Sequence, residues 1–317
     1  MNSSISKVVA ISLVVLLAVV VPALSVYQIE LVTQMFIYAI FAMSLDILLG
    51  YTGLPSLGHA AYFGLAAYAT AILSLRLHVP FALAATAGIA ASVIAAALFN
   101  LLALRTSRGY YLMITLALSQ LLWSLAVSWT ELTGGDNGLP GLERPSLPWF
   151  PSLLTSAGGF FYLTLFVFVV STIALWVFVR SPVGYALKGV RENEARMRAL
   201  GYAVWQYKYF ASIVAAFFAG VAGELFVYLN GFVSPSALSV TVSAQVLIMV
   251  LVGAAGTLFG PMLGAVVFVL LQYVVSSYTE RWLFVIGIMY LVIALYAPQC
   301  ALTFLWGWLR IGTRRVV

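Results

Sequence analysis

Two carboxylates, Asp46 and Glu224, stand inside apolar stretches long enough to cross a membrane. An ionisable group in such a stretch is costly, so it normally faces the protein interior or a water-filled cavity. Glu224 follows the small residues 219–223, which allow a neighbouring helix to approach closely. It could line or gate a pathway, or it could be a structural acid bonded to a neighbouring helix. Asp46 lies near the end of its stretch, where we expect an ion pair with Arg105 or Arg108.

Residues for bond-making chemistry are scarce in this sequence. Cys300 is the single cysteine and His59 and His78 are the only histidines, which excludes an intrachain disulfide and leaves little for a metal centre. The sequence contains no G-x-x-x-x-G-K-[ST] loop to hold ATP phosphates and no G-x-S-x-G nucleophile elbow. We therefore expect no enzyme activity, no cofactor and no metal in this chain.

The composition is that of a membrane protein. Hydrophobic residues make up 64% of the 317 residues and charged residues only 8%, against roughly a quarter charged in soluble domains. Apolar runs recur at about twenty residues, the length that a helix needs to cross a bilayer. We predict an all-α polytopic bundle, a single transmembrane domain covering residues 1–317. Its ten predicted spans lie near 8–26, 30–49, 59–75, 80–104, 110–130, 160–180, 208–229, 241–258, 260–278 and 282–305.

The basic residues predict the orientation of this bundle. With a cytoplasmic N-terminus, twelve of the 15 Lys and Arg residues fall in inside loops and three in outside loops. Both termini and residues 181–207 are then cytoplasmic, and residues 131–159 are periplasmic. The net charge of +6 therefore reflects membrane topology and does not indicate nucleic-acid binding. The first apolar segment could instead be a signal peptide, although its length favours a retained helix.

Residues 181–201 form the one sizeable polar segment, and their pattern predicts a helix. Ser181 can cap its start with Pro182 in the first position, and Gly201 can stop its end. Two acid–base pairs are spaced four residues apart in the favourable order. Within the segment an apolar stripe could contact either a partner protein or the chain's own bundle. The pairs are Glu192 with Arg196 and Glu194 with Arg198, and the stripe is Leu187, Val190, Met197 and Leu200.

Residues 50–58 join two spans but are too polar and glycine-rich to continue a helix. Broken helices of this kind line solvated cavities in transporters. An ordinary tight turn at the inner surface is the alternative. His59 heads the following span, where a helix-terminal hydrogen bond is expected.

Several motifs in the same order resemble the inner-membrane permeases of branched-chain amino acid ABC transporters, with the closer likeness to the M-type permease of the high-affinity system. The resemblance covers about residues 36–300. The motifs are Gly50-Tyr-Thr-Gly53, Ser56-Leu-Gly-His-Ala60, Leu104-Arg105, Gly109-Tyr-Tyr111, Thr115-Leu-Ala117, Leu132-Thr-Gly-Gly135, Asn137-Gly138, Ser181-Pro182, Gly184, Ala186-Leu187, Arg191-Glu-Asn-Glu194 and Gly256-Thr-Leu-Phe-Gly-Pro-Met-Leu-Gly-Ala265.

This resemblance implies a transport subunit of the bacterial inner membrane that moves a small polar solute, foremost branched-chain amino acids. It also implies four kinds of contact: a second, related permease, two cytoplasmic ATP-binding subunits, a periplasmic substrate-binding protein and membrane lipid. The implied ATPase-coupling residues are Gly184, Arg191, Glu192, Asn193 and Glu194. The expected pathway or gate residues are Gly53, Ser56, Gly58, His59 and Glu224, and the expected periplasmic loop residues are Thr133, Gly134, Gly135 and Asn137.

Three departures from the family pattern bear on the substrate. Leu54-Pro55 replaces the usual amide-containing pair, Tyr185 stands where Arg is common, and Glu224 replaces a small apolar residue. Urea, short amides or aromatic acids are therefore alternative substrates. A proton-coupled secondary transporter using Glu224 or Asp46, and a passive channel, are the alternatives of another class.

Overall fold

The computed structural model describes residues 25–106, 108–145, 154–279, 281, 284, 285, 287 and 288. The predicted first span near 8–26, with its signal-peptide alternative, lies outside the described residues. Almost all of the predicted last span near 282–305 lies outside them too. The other eight predicted spans each correspond to a helix.

The helices are numbered in the order of the chain. Helix α1 is Val26–Asp46, continued by a π-helical turn at Ile47–Thr52. Two short 3₁₀ turns lie at Gly135–Asn137 and Pro235–Leu238. The remaining helices are α2 His59–Arg76, α3 Phe81–Ala103, α4 Arg108–Ser128, α5 Thr130–Thr133, α6 Ala157–Arg180, α7 Pro182–Glu192, α8 Glu194–Ala199, α9 Val204–Asn230, α10 Val240–Gly253 and α11 Phe259–Tyr278.

Six of these helices, α1, α3, α4, α6, α9 and α11, are long and apolar enough to cross a membrane. The helical membrane bundle is thus confirmed. Helix α10 ends at Gly253 and not near residue 258 as predicted. Ala254, Gly256 and Leu258 all have positive φ angles, which no right-handed helix accommodates, so residues 254–258 form a turn instead.

Helices α1 and α9 form the centre of the bundle. In the most apolar stretch of α1, 83% of the residues are buried, and in that of α9, 72% are buried. The corresponding fraction in α4 is only 22%. A helix that is apolar all round is suited to such a fully surrounded position. The more exposed helices α3, α4, α6 and α11 surround this centre.

Small residues bring the helices together, as expected for a membrane bundle without a hydrophobic driving force between helices. Along α3 the buried residues recur every fourth position and contact α2 and α9 through Thr70 and Gly220. In the same way, Gly253 of α10 touches the backbone of Gly260 on α11. The alanine-rich stretch 82–98 and the segment 260–264 are therefore packing surfaces. The α3 stripe is Ala84, Gly88, Ser92, Ala96 and Asn100.

Two short strands add the only sheet in the described residues. Strand β1, Leu139–Pro140, pairs antiparallel with β2, Phe232–Val233, with Leu139 opposite Val233. Gly141 and Leu142 both donate backbone hydrogen bonds to the carbonyl of Gly231 at 3.1 Å. The loop after α4 is thereby fastened to the end of α9.

Candidate functional site: an inner coupling cluster and an outer cleft

The polar segment 181–201 is two helices, not the single helix predicted. The Ser181 side chain accepts a hydrogen bond from the Gly184 N–H at 3.3 Å, Pro182 occupies the first turn, and Gly201 with φ +86° follows the end. The helix breaks at Asn193, whose backbone is extended and whose side chain caps α8 by accepting from the Arg196 N–H at 2.9 Å. Asn is a favoured N-cap residue because its side-chain oxygen satisfies an otherwise unpaired backbone N–H.

The apolar stripe of this segment packs against the chain's own bundle. Leu187 and Val190 are fully buried and Met197 is nearly so, whereas Leu200 is 66% exposed. Three of the four stripe residues are thus unavailable to a partner. The opposite face of the segment, with Lys188, Arg191, Glu192 and Asn193, is exposed.

Helix α7 is attached to the inner end of α1 by two basic side chains. The Arg191 guanidinium donates a hydrogen bond to the carbonyl oxygen of Gly50 in the π-helical turn. The Lys188 ammonium lies 5.3 Å from the ring centroid of Tyr51, the next residue of that turn. At the other end of α7, Gly184 touches the backbone of Val179 so closely that a Cβ would overlap it.

Asp46 lies at the same point and holds the turn between α10 and α11. Its Oδ1 accepts from the Gly256 N–H at 2.7 Å and its Oδ2 from the Leu258 N–H at 3.2 Å. Arg105 is exposed, Asp46 is fully buried and the two form no ion pair, so the pair expected with Arg105 is wrong. The side chain of Arg108, the other expected partner, lies outside the described residues. The cation that acts on the Asp46 carboxylate is Arg191.

Glu194 forms two ion pairs, one within α8 and one that links α8 to α9. Its Oε1 accepts from Arg198 Nη2 and its Oε2 from Lys208 Nζ, both at 2.6 Å. Burial raises the pKa of Glu194, but Lys208 and then Arg198 lower it by more, so its pKa lies below the ordinary value. Of the two predicted four-residue pairs, Glu194 with Arg198 is confirmed, and Glu192 with Arg196 straddles the break at Asn193 without forming an ion pair.

The broken segment after the π-helical turn is compact and buried. Gly53 has φ +73° and ends the turn, and the Ser56 Oγ accepts from the Gly58 N–H at 3.2 Å. Gly58 lies so close to the carbonyl of Thr115 that a Cβ there would be 2.5 Å from its oxygen. The tight-turn interpretation therefore describes the geometry of this segment.

His59, at the start of α2, is enclosed by other side chains. Its Nε2 lies 2.8 Å from the Ser44 Oγ and its ring stacks on Phe41 with centroids 5.3 Å apart. Its Nδ1 has no hydrogen-bond partner among the described residues. His59 contributes to the packing between α1 and α2.

At the opposite end of the bundle, residues 133–138 form a tight turn. Gly134, Gly135 and Gly138 all have positive φ angles, and a Cβ at Gly134 would overlap the Gly138 carbonyl. The Thr133 Oγ1 donates to the carbonyl of Ala126 at 2.6 Å and accepts from the Gly135 N–H at 3.2 Å. Asn137 at the tip is exposed.

Next to this turn lies a cleft of about 830 Å³ that the sequence did not reveal. Its walls come from α1, α2, α4, α9 and the segment 234–245, and Asp136 is its one acidic lining residue. A signal was present, because residues 234–245 carry a hydroxyl or amide at nearly every second position beside an apolar span. The polar lining residues are Tyr38, Asp136, Asn230, Ser234, Ser236, Ser239, Thr241 and Gln245.

Glu224 is buried, with 7% of its surface exposed. One turn earlier Gly220 touches Ser92 of α3, and one turn later Tyr228 lies 3.3 Å from the Ser74 hydroxyl of α2. Glu224 is therefore on the side of α9 that packs against α2 and α3. It lines neither this cleft nor the smaller inner pocket found among the described residues.

Comparison with known proteins identifies the type of protein to which these features belong. The M-type permease LivM of Salmonella typhimurium, a "high-affinity branched-chain amino acid transport system permease protein", is 29% identical over 86% of this chain and 69% of its own length. LivM of Escherichia coli is 28% identical over the same shares.

One solved structure, "PsaBC from Streptococcus pneumoniae in complex with Fab", covers 79% of this chain and 92% of its own at 16% identity, with a TM-score of 0.34. That score is too low to indicate a common fold.

The family described as "Branched-chain amino acid transport system / permease component" matches residues 27–294. The match covers most of the chain and includes the described helices except the first residue of α1. The chain is thus a multi-pass protein of the inner membrane, and it belongs to the permease family of branched-chain amino acid transport systems.

Proposed function

We propose that this chain is the permease subunit of an ATP-driven (ABC) importer that moves branched-chain amino acids inward by alternating access. The family match over residues 27–294 carries this proposal. In it, residues 1–317 form one permease domain with about ten spans and both termini in the cytoplasm. Residues 181–207 face the ATPase and residues 131–159 face the periplasm.

Coupling to ATP hydrolysis would run through α7 and α8. Arg191 is exposed on α7 and yet bonds the Gly50 carbonyl, so a displacement of α7 is transmitted directly to α1. Gly184 sets the close approach of α7 to α6, and Asn193 and Glu194 fix the angle between α7 and α8. With the exposed Glu192, these residues form the proposed ATPase-coupling surface.

The solute would enter through the outer cleft. A pocket with hydroxyl, amide and carboxylate groups on apolar walls suits a zwitterionic amino acid that has an aliphatic side chain. Asp136 of the turn 133–137 lines this cleft, and a periplasmic substrate-binding protein would dock on the turn. Gly53, Ser56, Gly58 and His59 would form the inner side of the pathway, with Glu224 acting on the gate from the α2–α3 side.

This assignment requires partners. A second, related permease, two cytoplasmic ATP-binding subunits and a periplasmic substrate-binding protein complete the importer. ATP hydrolysis belongs to the ATP-binding subunits.

Uptake into proteoliposomes tests the proposal. We expect labelled leucine to enter only when the ATP-binding subunits, ATP and the loaded binding protein are all present. Urea, a short amide and an aromatic amino acid serve as substrate controls. Leucine uptake driven by a proton gradient without ATP would replace the proposal with a secondary transporter.

Cysteine labelling tests the orientation separately. In a Cys300→Ser background, Asn137→Cys should react with an impermeant maleimide from the periplasm and Ala195→Cys only from the cytoplasm. Labelling of position 195 from the periplasm would invert the proposed topology.

A further inference from the structure

A pocket of about 400 Å³ lies at the α7 end of the bundle and collects positive charge. Arg180, the last residue of α6, and Lys188 of α7 both line it, and no acidic residue does. Within the described part of the chain, neither cation forms an ion pair. Two uncompensated cations in one concave site attract an anion.

Aromatic rings hold both cations in place without neutralising them. The Arg180 guanidinium lies 4.1 Å from the ring centroid of Trp176, and the Lys188 ammonium lies 5.3 Å and 5.5 Å from the centroids of Tyr51 and Tyr185. Ring faces attract a cation through their quadrupole but leave its charge available to a ligand. The site is therefore built before any ligand arrives.

Two acidic groups are close to the pocket in the fold or the sequence, and neither forms an ion pair with its cations. Asp46 accepts the Gly256 and Leu258 N–H groups. Glu192, one turn beyond Lys188 on α7, is exposed and makes no ion pair with it.

The pocket sits where membrane-spanning helices end. Arg180 ends the apolar helix α6, and Phe259, which also lines the pocket, begins the apolar helix α11. From these two residues toward the membrane centre, the same helix faces carry exposed apolar side chains. They are Ile173 and Val177 on α6 and Leu263 and Val267 on α11.

We propose that this pocket binds the phosphate headgroup of an anionic phospholipid, with the acyl chains lying on the exposed apolar faces of α6 and α11. A phosphate would bridge the Arg180 guanidinium and the Lys188 ammonium, the chemistry that basic pockets between membrane helices use for such headgroups. With the orientation proposed above, the lipid belongs to the inner leaflet. Because Lys188 and Tyr51 join α7 to the π-helical turn, a bound lipid also braces α7 against α1.

Native mass spectrometry of the purified full chain in detergent tests this proposal, with phosphatidylglycerol and phosphatidylethanolamine titrated separately. We expect retention of phosphatidylglycerol and little retention of phosphatidylethanolamine. The double variant Arg180→Gln/Lys188→Gln should bind phosphatidylglycerol about thirtyfold more weakly, from about 1 kcal/mol for each basic residue near an anionic leaflet. Arg105→Gln, an exposed basic residue at the end of α3 and outside the pocket, is the matched control and should bind like the wild type.

Three results would overturn the proposal. Equal retention of the two lipids would show that charge does not select the ligand. Displacement of phosphatidylglycerol by millimolar inorganic phosphate would make the pocket a site for a soluble anion. A double variant that keeps lipid but no longer co-purifies with the ATP-binding subunit would assign the cations to an acidic partner surface.

A second measurement, the melting temperature, uses the wild-type chain alone and needs no variant. Phosphatidylglycerol should raise its melting temperature more than phosphatidylethanolamine does, and an equal rise would contradict a selective headgroup site. If the double variant does not fold, Lys188→Gln alone replaces it, with an expected loss of about fivefold in affinity.

Discussion

The Asp46 carboxylate accepts the backbone N–H of Gly256 at 2.7 Å, across 210 residues of sequence. Gly256 has φ +86° and the neighbouring Leu258, also bonded to Asp46, has φ +60°. One side chain of α1 thus satisfies two N–H groups of a turn that cannot continue a helix. Arg191 of α7 bonds Gly50 in the adjacent turn, so three segments distant in sequence meet at one point.

Removing the Asp46 carboxylate should destabilise the contact between α1 and the turn at residues 254–258. We expect Asp46→Ala to lower stability by about 1–3 kcal/mol, because buried N–H groups lose their acceptors. Asp46→Asn keeps one oxygen and should retain part of the stability. Melting temperatures in detergent measure both, with the exposed Asp136→Asn as the control. Equal melting temperatures for Asp46→Ala and wild type would contradict the anchoring role.

Gly50 tests the same contact from the backbone side. A Cβ at Gly50 would overlap the Asp46 carboxylate and the backbone of Gly256, so Gly50→Ala should strongly reduce the folded yield. Gly109 in helix α4 has no atom within 4 Å of its Cβ position. Gly109→Ala should therefore be neutral or stabilising by about 0.5–1 kcal/mol through helix propensity. Similar folded yields of the two variants in size-exclusion chromatography would exclude close packing at Gly50.

Glu194 should make the attachment of α8 dependent on pH. Its folded-state pKa is lowered by Lys208 and Arg198, so its contribution to stability is fully present above the unfolded pKa and is lost as pH falls through the folded pKa. The protection of α8 amides, measured as exchange relative to the intrinsic rate at each pH, should fall over that acidic range. Glu194→Gln should show the faster exchange already at neutral pH.

The exposed Glu192, which forms no ion pair among the described residues, is the matched control for Glu194. Glu192→Gln should leave amide exchange of α8 unchanged. Charge reversal by Glu194→Arg should in addition reduce transport and substrate-stimulated ATP hydrolysis. Unchanged transport in that variant would remove Glu194 from the coupling surface.

The outer turn should tolerate no side chain at Gly134. Its φ of +78° is strained for other residues, and a Cβ would also overlap the Gly138 carbonyl. Gly141 has φ +91° but open space around its Cβ position. Gly141→Ala therefore measures the cost of backbone strain alone, about 1–2 kcal/mol. We expect Gly134→Ala to lower both the melting temperature and the affinity for the loaded binding protein more than Gly141→Ala does. Equal effects would show that only backbone strain matters here.

Variants of Glu224 distinguish a gate residue from a structural acid. As a gate residue it should give Glu224→Gln and Glu224→Ala variants with normal folded yield and an altered rate of leucine uptake. A structural acid between α9, α2 and α3 would instead lose folded yield as Ala and regain it as Gln. A Glu224→Ala variant with normal folded yield and normal uptake would eliminate both roles. In that case the variant should be more stable than the wild type, because a charged acid at a helix centre costs about 2.5–3.5 kcal/mol.

Features that depend on neighbouring residues could be predicted from the sequence. Apolar runs placed eight helices, Ser181 and Pro182 marked the start of α7, and Gly201 marked the end of α8. The glycines Gly134, Gly135 and Gly138 adopt the positive φ angles that favour glycine in a tight turn. Each of these follows from backbone sterics or from burial over one or two helical turns.

Contacts between distant elements could not be predicted in this way. The sequence suggested Arg105 or Arg108 for Asp46, but its hydrogen bonds come from backbone N–H groups, which every residue except proline can supply. Likewise, the acid–base pairs spaced four residues apart predicted one continuous helix, but α7 ends just before Asn193. The burial of Met197 and the ion pair of Glu194 with Lys208 hold α8 against α9.

The outer cleft and the basic inner pocket exist only where several helices meet, so the sequence contains their residues but not their juxtaposition. Local periodicity specifies which face of a helix is apolar. Which distant backbone or side chain meets that face is decided by the packing of the whole bundle.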